Sequence, residues 1–324
     1  ALPMVLMAMI VPYTLKLIAK DIKKIGTSVG IISAISTSGS ILGTFLPAFF
    51  LIPYIGTTKT FLVVGFLLFA VSAFGLRSFF LKIFSVLSLL LFLIVPPVFA
   101  ADDIIYSQDS PYHFIFITED GNGTRYLMLD HAFASHSIYN PDEYIINNYF
   151  SYLATIPSFV ESPESALILG HAGGSITRLL NHFYSNIEVS GVEIDPNITD
   201  VSMVYMGISD AKVEIFHEDA RTFLIDDEKK YDLIFVDAYA SIVLPVHLAT
   251  KEFFELVESH LTENGLVALN ILSFEDDLLM GMNNTLGAVF DDVAYIPVSN
   301  TNNTIVLASN DLDLTLKNIP DELI

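Results

Sequence analysis

The hydrophobic pattern divides the chain into an apolar first third and a more polar remainder. Apolar stretches stand at roughly 1–18, 27–53, 60–76 and 79–100. Each approaches the ~20 residues that a helix needs to cross a hydrocarbon core of ~30 Å. We therefore predict about four transmembrane helices within residues 1–100. Because the chain opens inside an apolar run without an initiator Met, we expect the gene product to begin upstream.

Basic residues predict the orientation of these helices. They flank the connection between the first and second stretches and that between the third and fourth: Lys16, Lys20, Lys23, Lys24, Arg77 and Lys82. The positive-inside rule places both connections in the cytoplasm. The fourth helix then runs outward, so the remainder is predicted to lie outside the cytoplasm. No apolar stretch carries a central charge, which favours packing within a bundle over a transport pathway.

The polar remainder begins with a hairpin pattern and continues with alternating strands and helices. Two extended runs, starting at Tyr112 and Arg125, are separated by Glu119-Asp-Gly-Asn-Gly123, a sequence typical of a β-hairpin. Beyond residue 160, short apolar runs alternate with amphipathic helical patterns, which predicts a doubly wound parallel sheet. Its strands are predicted at 166–170, 188–194, 212–216, 232–237 and 265–271. Two late runs, 290–297 and 303–308, are expected to pair as a closing antiparallel hairpin.

Charge narrows the choice of ligand. The chain of 324 residues has a mean hydropathy of +0.56 and no cysteine. Residues 101–324 hold 8 of the 15 basic and 36 of the 37 acidic residues, a formal charge of −28. Such a surface repels nucleic acid and anionic lipid and favours cations. Without cysteine, and with histidines at no metal-ligand spacing, we expect neither disulfides nor a metal site.

Glycines and acids follow the predicted strands at the edge where doubly wound sheets bind ligands. Glycines after the first strand permit a tight turn and close approach of a ligand. Acids follow the next three strands, so the whole set favours a nucleoside site. The residues are Gly170, Gly173, Gly174, Glu193, Asp195, Asp219 and Asp237. For Glu193, Asp195 and Asp219 singly, helix capping is as good an interpretation, and Asp195 precedes a first-turn proline.

Several motifs together resemble spermidine synthase, over residues 104–310. They include Tyr112-His-Phe-Ile115, Gly170-His-Ala-Gly-Gly174, Val192-Glu-Ile-Asp195, Glu218-Asp-Ala220 and the run from Tyr231 to Tyr239. The apolar run 30–56 is similar to the membrane-fused branch of that family. The resemblance implies an α-helical transmembrane bundle (1–100), a small β-hairpin subdomain (101–155) and a Rossmann-like, class I methyltransferase-like α/β domain (156–324).

The resemblance also implies an activity and residue roles. The implied reaction is aminopropyl transfer from decarboxylated S-adenosylmethionine, or a related adenosyl ligand, to a polyamine or other amine. Glu193 would bind the ribose, Asp219 would lie near the adenine, and Asp237 would take the proton from the attacking amine. Gly170, Gly173, Gly174 and Asp195 complete the implied nucleoside site. His171 in the glycine loop and Tyr239 beside Asp237 are expected to line the substrate pocket.

Departures from the family pattern keep a second hypothesis open. Gly173 stands where the family has an aspartate in the glycine loop, and Ala240 replaces a second acid near Asp237. Of the family's Asp-Glu-x-x-Tyr-Gln/His-Glu stretch, 142–148 keeps only the beginning. The alternative is a catalytically inactive extracytoplasmic scaffold, or an accessory subunit with membrane-protein partners or a second copy of itself. The predicted outward orientation favours it, because the implied donor is made in the cytoplasm. A transporter fragment with a regulatory domain is the third hypothesis.

Overall fold

The computed structural model describes Val5, Ile83 and residues 8–18, 25–75, 103–130, 134–146, 148–240, 244–273, 276–299, 301–311, 313–317, 319–320 and 323. The chain forms two compact units, Ala1–Val98 and Phe99–Ile324.

The described part of the first unit is helical. Its elements are α1 (Ile10–Ile18), α2 (Ile25–Leu46), a π-helical turn (Pro47–Leu51), α3 (Ile52–Ile55) and α4 (Thr57–Gly75). The helical stretch ends at Gly56, whose φ of +80° suits a residue without a Cβ.

One described helix is long and apolar enough to cross a membrane. It is the 31-residue stretch Ile25–Ile55, and Thr57–Val71 is a shorter apolar helix. None of the side chains of α2 is buried within the structure. The predicted span 79–100 falls outside the described residues apart from Ile83. The bundle of about four transmembrane helices therefore stays a prediction.

The second unit begins with a four-stranded antiparallel sheet. Its strands, in spatial order, are β1 (Ile104–Asp109), β2 (Phe114–Glu119), β3 (Arg125–Leu129) and β4 (Ser135–Tyr139). The predicted hairpin is β2–β3, and the structure adds a strand on each side of it. Asp120 fixes the hairpin turn, because its side chain accepts hydrogen bonds from the backbone N–H groups of Asn122 and Thr124.

A seven-stranded sheet follows, with the spatial order β10-β11-β9-β8-β5-β6-β7. Its strands are β5 (Ser165–Leu169), β6 (Glu188–Val192), β7 (Glu214–Phe216), β8 (Tyr231–Val236), β9 (Leu261–Leu272), β10 (Asp292–Pro297) and β11 (Asn303–Ser309). Strands β5 to β9 are parallel, whereas β10 and β11 are antiparallel. Helix α5 (Tyr149–Leu153) precedes β5, and the helices between the strands are α6 (Ser175–Phe183), α7 (Pro196–Tyr205), α8 (Ala220–Asp226), α9 (Lys251–Ser259) and α10 (Asp276–Leu286). The predicted doubly wound sheet and its closing hairpin are thus confirmed.

The central strands are buried on both faces, which explains their continuous apolar runs. In β5, Leu167 and Leu169 belong to one apolar core, and Ala166 and Ile168 belong to another. Burying each large aliphatic side chain contributes roughly 1.5–3 kcal/mol relative to exposure. This packing holds the parallel strands in register, so that their carboxyl ends meet at one edge of the sheet.

Candidate active site

A cavity of about 610 Å³ lies where the carboxyl ends of the large sheet's strands face the small sheet. Its volume is typical of small-molecule sites. Both sheets contribute to its walls: Leu129 comes from β3, His136 and Ile138 come from β4, and the glycine loop after β5 supplies Gly170 and Ala172.

The acids and two of the three asparagines that line the cavity follow the strand order. The acids occupy one side, at the ends of β7, β6 and β8, and the two asparagines occupy the other side, on β9 and β11. In that order they are Glu218 and Asp219, Glu193, Asp237, Asn270 and Asn303. The described residues that line the cavity include three histidines but neither lysine nor arginine. The cavity therefore favours a cationic ligand.

Gly170 brings the loop after β5 against the end of β8. Its φ is +90°, and a Cβ at this position would lie 2.5 Å from the backbone oxygen of Asp237. Both the backbone conformation and the lack of space require glycine. The close approach places the loop beside the backbone of Asp237, the residue expected to act as the base.

Gly173 and Gly174 pack the glycine loop against its protein surroundings and do not line the cavity. The backbone N–H of Gly173 donates a hydrogen bond of 2.8 Å to Ser137 Oγ. A Cβ on Gly173 would lie 2.6 Å from the Cβ of Ser137. Gly174 has a φ of +77° and is the N-cap residue of α6. These positions differ from the expected ligand contacts, and an aspartate side chain would clash with β4 at position 173.

His171 lies behind the loop, outside the cavity lining, in contrast to the expectation for this residue. The side chain is buried, with Nε2 2.9 Å from Thr177 Oγ1. Its ring also fills the space that a Cβ on Gly191 would need. Burial lowers the pKa of His171 to about 4, so the ring is neutral at physiological pH. Core packing between β6 and α6 accounts for its position.

Glu193 lines the cavity at the end of β6. The carboxylate accepts hydrogen bonds from the backbone N–H groups of Ala172 (2.9 Å) and Asp195 (3.0 Å). Burial raises the pKa of Glu193, and the two backbone donors oppose this effect. Because Ala172 belongs to the glycine loop, Glu193 joins this loop to β6 at the cavity wall.

Asp195 is fully buried and does not line the cavity. Its carboxylate caps α7 by accepting a hydrogen bond of 3.0 Å from the backbone N–H of Asn197. It also accepts a hydrogen bond from the hydroxyl of Ser110, which lies between β1 and β2. The structure therefore places Asp195 as a helix cap outside the cavity lining, whereas the sequence analysis expected it among the cofactor-binding residues.

Asp219 both caps a helix and lines the cavity. Its Oδ1 accepts hydrogen bonds from the backbone N–H groups of Arg221 and Thr222 at the start of α8. Its Oδ2 lies 2.9 Å from Nε2 of His247, which also lines the cavity. Partial burial raises the pKa of Asp219, but the hydrogen bonds from His247 and the backbone outweigh it, so the pKa lies below its ordinary value.

Asp237 follows β8 and is held on both carboxylate oxygens. Asn270 Nδ2 donates to Oδ1 over 2.8 Å, and the hydroxyl of Tyr149 donates to Oδ2 over 2.9 Å. Burial raises the pKa of Asp237 to about 7, although both donors oppose the rise. A carboxylate with this pKa exchanges protons readily at neutral pH, as a general base requires.

Tyr149 is a site residue that the sequence reasoning missed. The family spacing looks for its tyrosine at Ile146, three residues before Tyr149 along the chain. Asp142 and Glu143, which keep the beginning of that stretch, are exposed and do not line the cavity. An insertion of three residues in the family spacing would place the family's tyrosine at Tyr149.

Tyr239 lines the cavity. Its hydroxyl donates to the backbone oxygen of Asn270 and accepts from the backbone N–H of Leu272, each over 2.8 Å. The phenol therefore fastens the loop after β8 to the end of β9. Burial raises the pKa of Tyr239, so the hydroxyl stays neutral.

Two histidines that line the cavity were also missed, His113 just before β2 and His136 on β4. Nδ1 of His113 lies 2.6 Å from Oδ2 of Asp130. His136 Nε2 is buried and has no hydrogen-bond partner within the described structure, although the residue lines the cavity. Burial lowers the pKa of His136 to about 4, with His113 as a second cause, so a neutral ring is presented to a ligand. No group of three potential metal ligands is found among the described side chains.

Comparisons with known proteins assign the family. The spermine/spermidine synthase domain matches residues 147–305. A polyamine aminopropyltransferase of Leptospira biflexa is 30% identical over 201 residues, 59% of this chain and 69% of the relative. A probable polyamine aminopropyl transferase of Bifidobacterium longum is 28% identical over 211 residues, which cover 64% of this chain. The chain spans about half of that relative's length, 47%.

The fold has solved counterparts. A spermidine synthase in complex with the transition-state analogue AdoDATO superposes with a TM-score of 0.54 and 20% identity, over 68% of this chain and 83% of the other. At that identity the likeness shows a shared fold. From the sequence matches and the geometry described above, the chain belongs to the spermine/spermidine synthase family.

Proposed function

We propose that this protein is a membrane-anchored aminopropyltransferase that uses decarboxylated S-adenosylmethionine as donor and an amine as acceptor. The observation that carries the proposal is Asp237, a carboxylate with a pKa of about 7 held between Tyr149 and Asn270. It lies in a cavity whose described lining has no lysine or arginine. A cationic donor and an amine acceptor suit such a cavity.

The nucleoside of the donor is assigned to the acidic side of the sheet edge. Glu193 is available to accept hydrogen bonds from ribose hydroxyls, and Asp219 is available at the adenine end, as the family resemblance implies. Both carboxylates line the cavity and are fixed by backbone donors. A spermidine synthase of the same fold is solved with the transition-state analogue AdoDATO, which supports an adenosyl ligand for this chain.

The chemistry requires an amine that has lost a proton. Its nitrogen forms a bond to the aminopropyl carbon next to the sulfonium, while the carbon–sulfur bond breaks and its electrons return to sulfur. The sulfonium becomes a neutral thioether on the nucleoside, and the proton of the attacking nitrogen passes to Asp237. Burial raises the pKa of Tyr149 well above its ordinary value, so its hydroxyl remains a hydrogen-bond donor to that carboxylate.

A second candidate function is ligand binding without transfer, in a scaffold or accessory subunit. It is favoured by the part of the cavity that is expected to bind the amine groups, where two carboxylates of the family pattern are replaced. Gly173 packs on Ser137 without room for a side chain, and Ala240 lines the cavity in place of an acid. Bound cations would then have fewer countercharges to orient them for reaction.

Binding and transfer measured on the same protein separate the two candidates. The full chain in detergent is titrated with decarboxylated S-adenosylmethionine by calorimetry and then incubated with a panel of amines, with products identified by mass spectrometry. Transfer that Asp237→Asn abolishes, while binding persists, supports the enzyme. Binding without any product supports the second candidate, and no binding at millimolar donor overturns both.

Membrane anchoring is a separate part of the proposal. It is supported by the apolar stretch Ile25–Ile55 and by exposed aromatic side chains on it, such as Phe45 and Phe49. The bilayer is the proposed partner of this surface, and the basic connections favour an extracytoplasmic second unit. Resistance to alkaline extraction from membranes tests the anchoring. Protease digestion of intact and opened cells tests the orientation. If the second unit is cleaved only after the cells are opened, it lies in the cytoplasm and the proposed orientation is wrong.

A further inference from the structure

Two asparagines form a chain of hydrogen bonds that ends at Asp237. Asn303 Nδ2 donates to Asn270 Oδ1 over 2.9 Å, and Asn270 Nδ2 donates to Asp237 Oδ1 over 2.8 Å. Asn270 is buried, with 3% of its surface exposed. Each side-chain amide therefore presents a defined end, its nitrogen or its oxygen, to the next side chain in this series of hydrogen bonds.

The strand register produces this arrangement. In the antiparallel pair β9–β11, Asn303 is opposite Leu272, and Asn270 is opposite Ile305. Asn303 and Asn270 are thus diagonal neighbours on one face of the pair. The parallel pair β8–β9 then brings the end of β8, with Asp237, beside Asn270. Residues from three strands meet although Asn303 lies far from Asp237 in sequence.

The orientation of the Asn270 amide matters because its two ends have opposite effects on a carboxylate. The N–H end stabilises the ionised form, whereas the carbonyl end repels it and requires a protonated acid. Asn303 occupies Asn270 Oδ1 with a donor, which leaves the Nδ2 end for Asp237.

We propose that Asn303 is a positioning residue, which fixes the orientation of the Asn270 amide and thereby keeps Asp237 ionisable as the base of the transfer reaction. This inference rests on the proposed function for its catalytic meaning. The geometry of the amide chain itself is independent of that function.

The other titratable groups facing Asp237 are neutral. In the described structure they are Tyr149 from α5 and Tyr239 from the loop after β8. Burial raises the pKa of both phenols, so neither adds a charge beside Asp237 at physiological pH. A change in the pKa of Asp237 on substitution of Asn303 would therefore report on the amide chain.

The test is Asn303→Asp, which replaces a donor with an acceptor. The new carboxylate would accept a hydrogen bond from Asn270 Nδ2, so the amide would turn its oxygen towards Asp237. Titration of the ¹³C carboxyl resonance of Asp237, identified by its loss in Asp237→Asn, should show a midpoint at least about one pH unit higher. Transfer activity, kcat/KM, should fall at least about fivefold at pH 7, because less of Asp237 is ionised, and should recover at higher pH.

Two controls separate amide orientation from simple charge. Asn302→Asp makes the same change at the adjacent, exposed position and should leave the Asp237 titration unchanged. In an Asn270→Ala background, Asn303→Asp should have little effect, because the intermediate amide is absent. An equal upward shift in that background would overturn the proposal, since the charge would then act directly.

The outcomes distinguish this inference from the proposed function. An upward titration shift in a protein that transfers no aminopropyl group supports the amide chain and refutes the transfer. An unshifted titration overturns the inference whether or not transfer occurs. If Asn303→Asp fails to fold, Asn303→Leu takes its place. It removes the donor without adding a charge and should give a smaller upward shift, and no shift would again overturn the inference.

Discussion

The hydroxyl of Tyr149 lies 2.9 Å from Oδ2 of Asp237, although the two residues are separated by 88 positions in the chain. Tyr149 is the first residue of α5, and Asp237 follows β8. Their contact brings a phenol from the segment before the large sheet to the carboxylate at its edge. Together with Asn270, Tyr149 opposes the effect of burial on the pKa of Asp237.

Tyr149→Phe should impair proton transfer without weakening the binding of the donor's nucleoside. Loss of a donor raises the pKa of Asp237 further, so the rising limb of the pH–rate profile moves to higher pH. A hydrogen bond to a charged group contributes about 1.5–3 kcal/mol, and we expect kcat/KM at pH 7 to fall about tenfold or more. Tyr152→Phe, on the same helix, is the control. An unmoved limb in Tyr149→Phe would contradict the assigned contact.

Asp237→Asn should stabilise the protein at alkaline pH. The folded-state pKa of about 7 exceeds the ordinary 3.8, so the protonated carboxyl stabilises the fold below about pH 4, and this contribution is lost as pH rises through 7. We expect the variant to have a Tm about 5 °C above that of the parent at pH 8 and a similar Tm at pH 4. Asp232→Asn on β8 should show the opposite trend, because hydrogen bonds lower the pKa of Asp232 despite its partial burial. Equal effects at both pH values would contradict the raised pKa.

Substitutions of Asp195 and Asp219 should separate effects on folding from effects on ligand binding. Asp195→Ala removes a buried cap and is expected to cost about 1–2 kcal/mol of stability, with donor affinity unchanged once the protein is folded. Asp219→Asn retains a capping side chain but removes a charge from the cavity, and donor affinity should fall about tenfold. Thermal unfolding and calorimetry measure the two effects. If Asp195→Ala binds the donor weakly at a temperature where the variant is fully folded, Asp195 contributes to the binding site.

His171 should contribute to acid sensitivity. Its folded-state pKa of about 4 lies below the ordinary 6.5, so the neutral ring stabilises the fold above pH 6.5 and this stability is lost as pH falls towards 4. We expect a loss of about 2 kcal/mol between pH 7 and pH 4.5 from this residue. His171→Gln should flatten the dependence in urea unfolding, whereas His182→Gln, at an exposed position on α6, should not. Parallel curves for His171→Gln and the parent would contradict the buried neutral ring.

The sequence by itself determined the strand order along the chain and the position of the glycine loop. Strands such as β5 and β8 are buried on both faces, so their apolar runs are visible without a structure. The position of Gly170 can likewise be predicted from the sequence, because a tight turn between a parallel strand and a helix needs a residue that tolerates positive φ. The family motifs followed from the same local requirements.

Only the tertiary structure decided which polar residues enter the cavity. Asp195 and Asp219 are both N-cap residues after a strand, and their local sequences do not show which of them lines a cavity. The small sheet covers Asp195 through Ser110, whereas Asp219 remains at the cavity wall. Tyr149 and Asn303 reach Asp237 through contacts between residues distant in sequence, which local periodicity does not encode. Hydrophobic patterns determine elements, but the packing of those elements determines which side chains share a site.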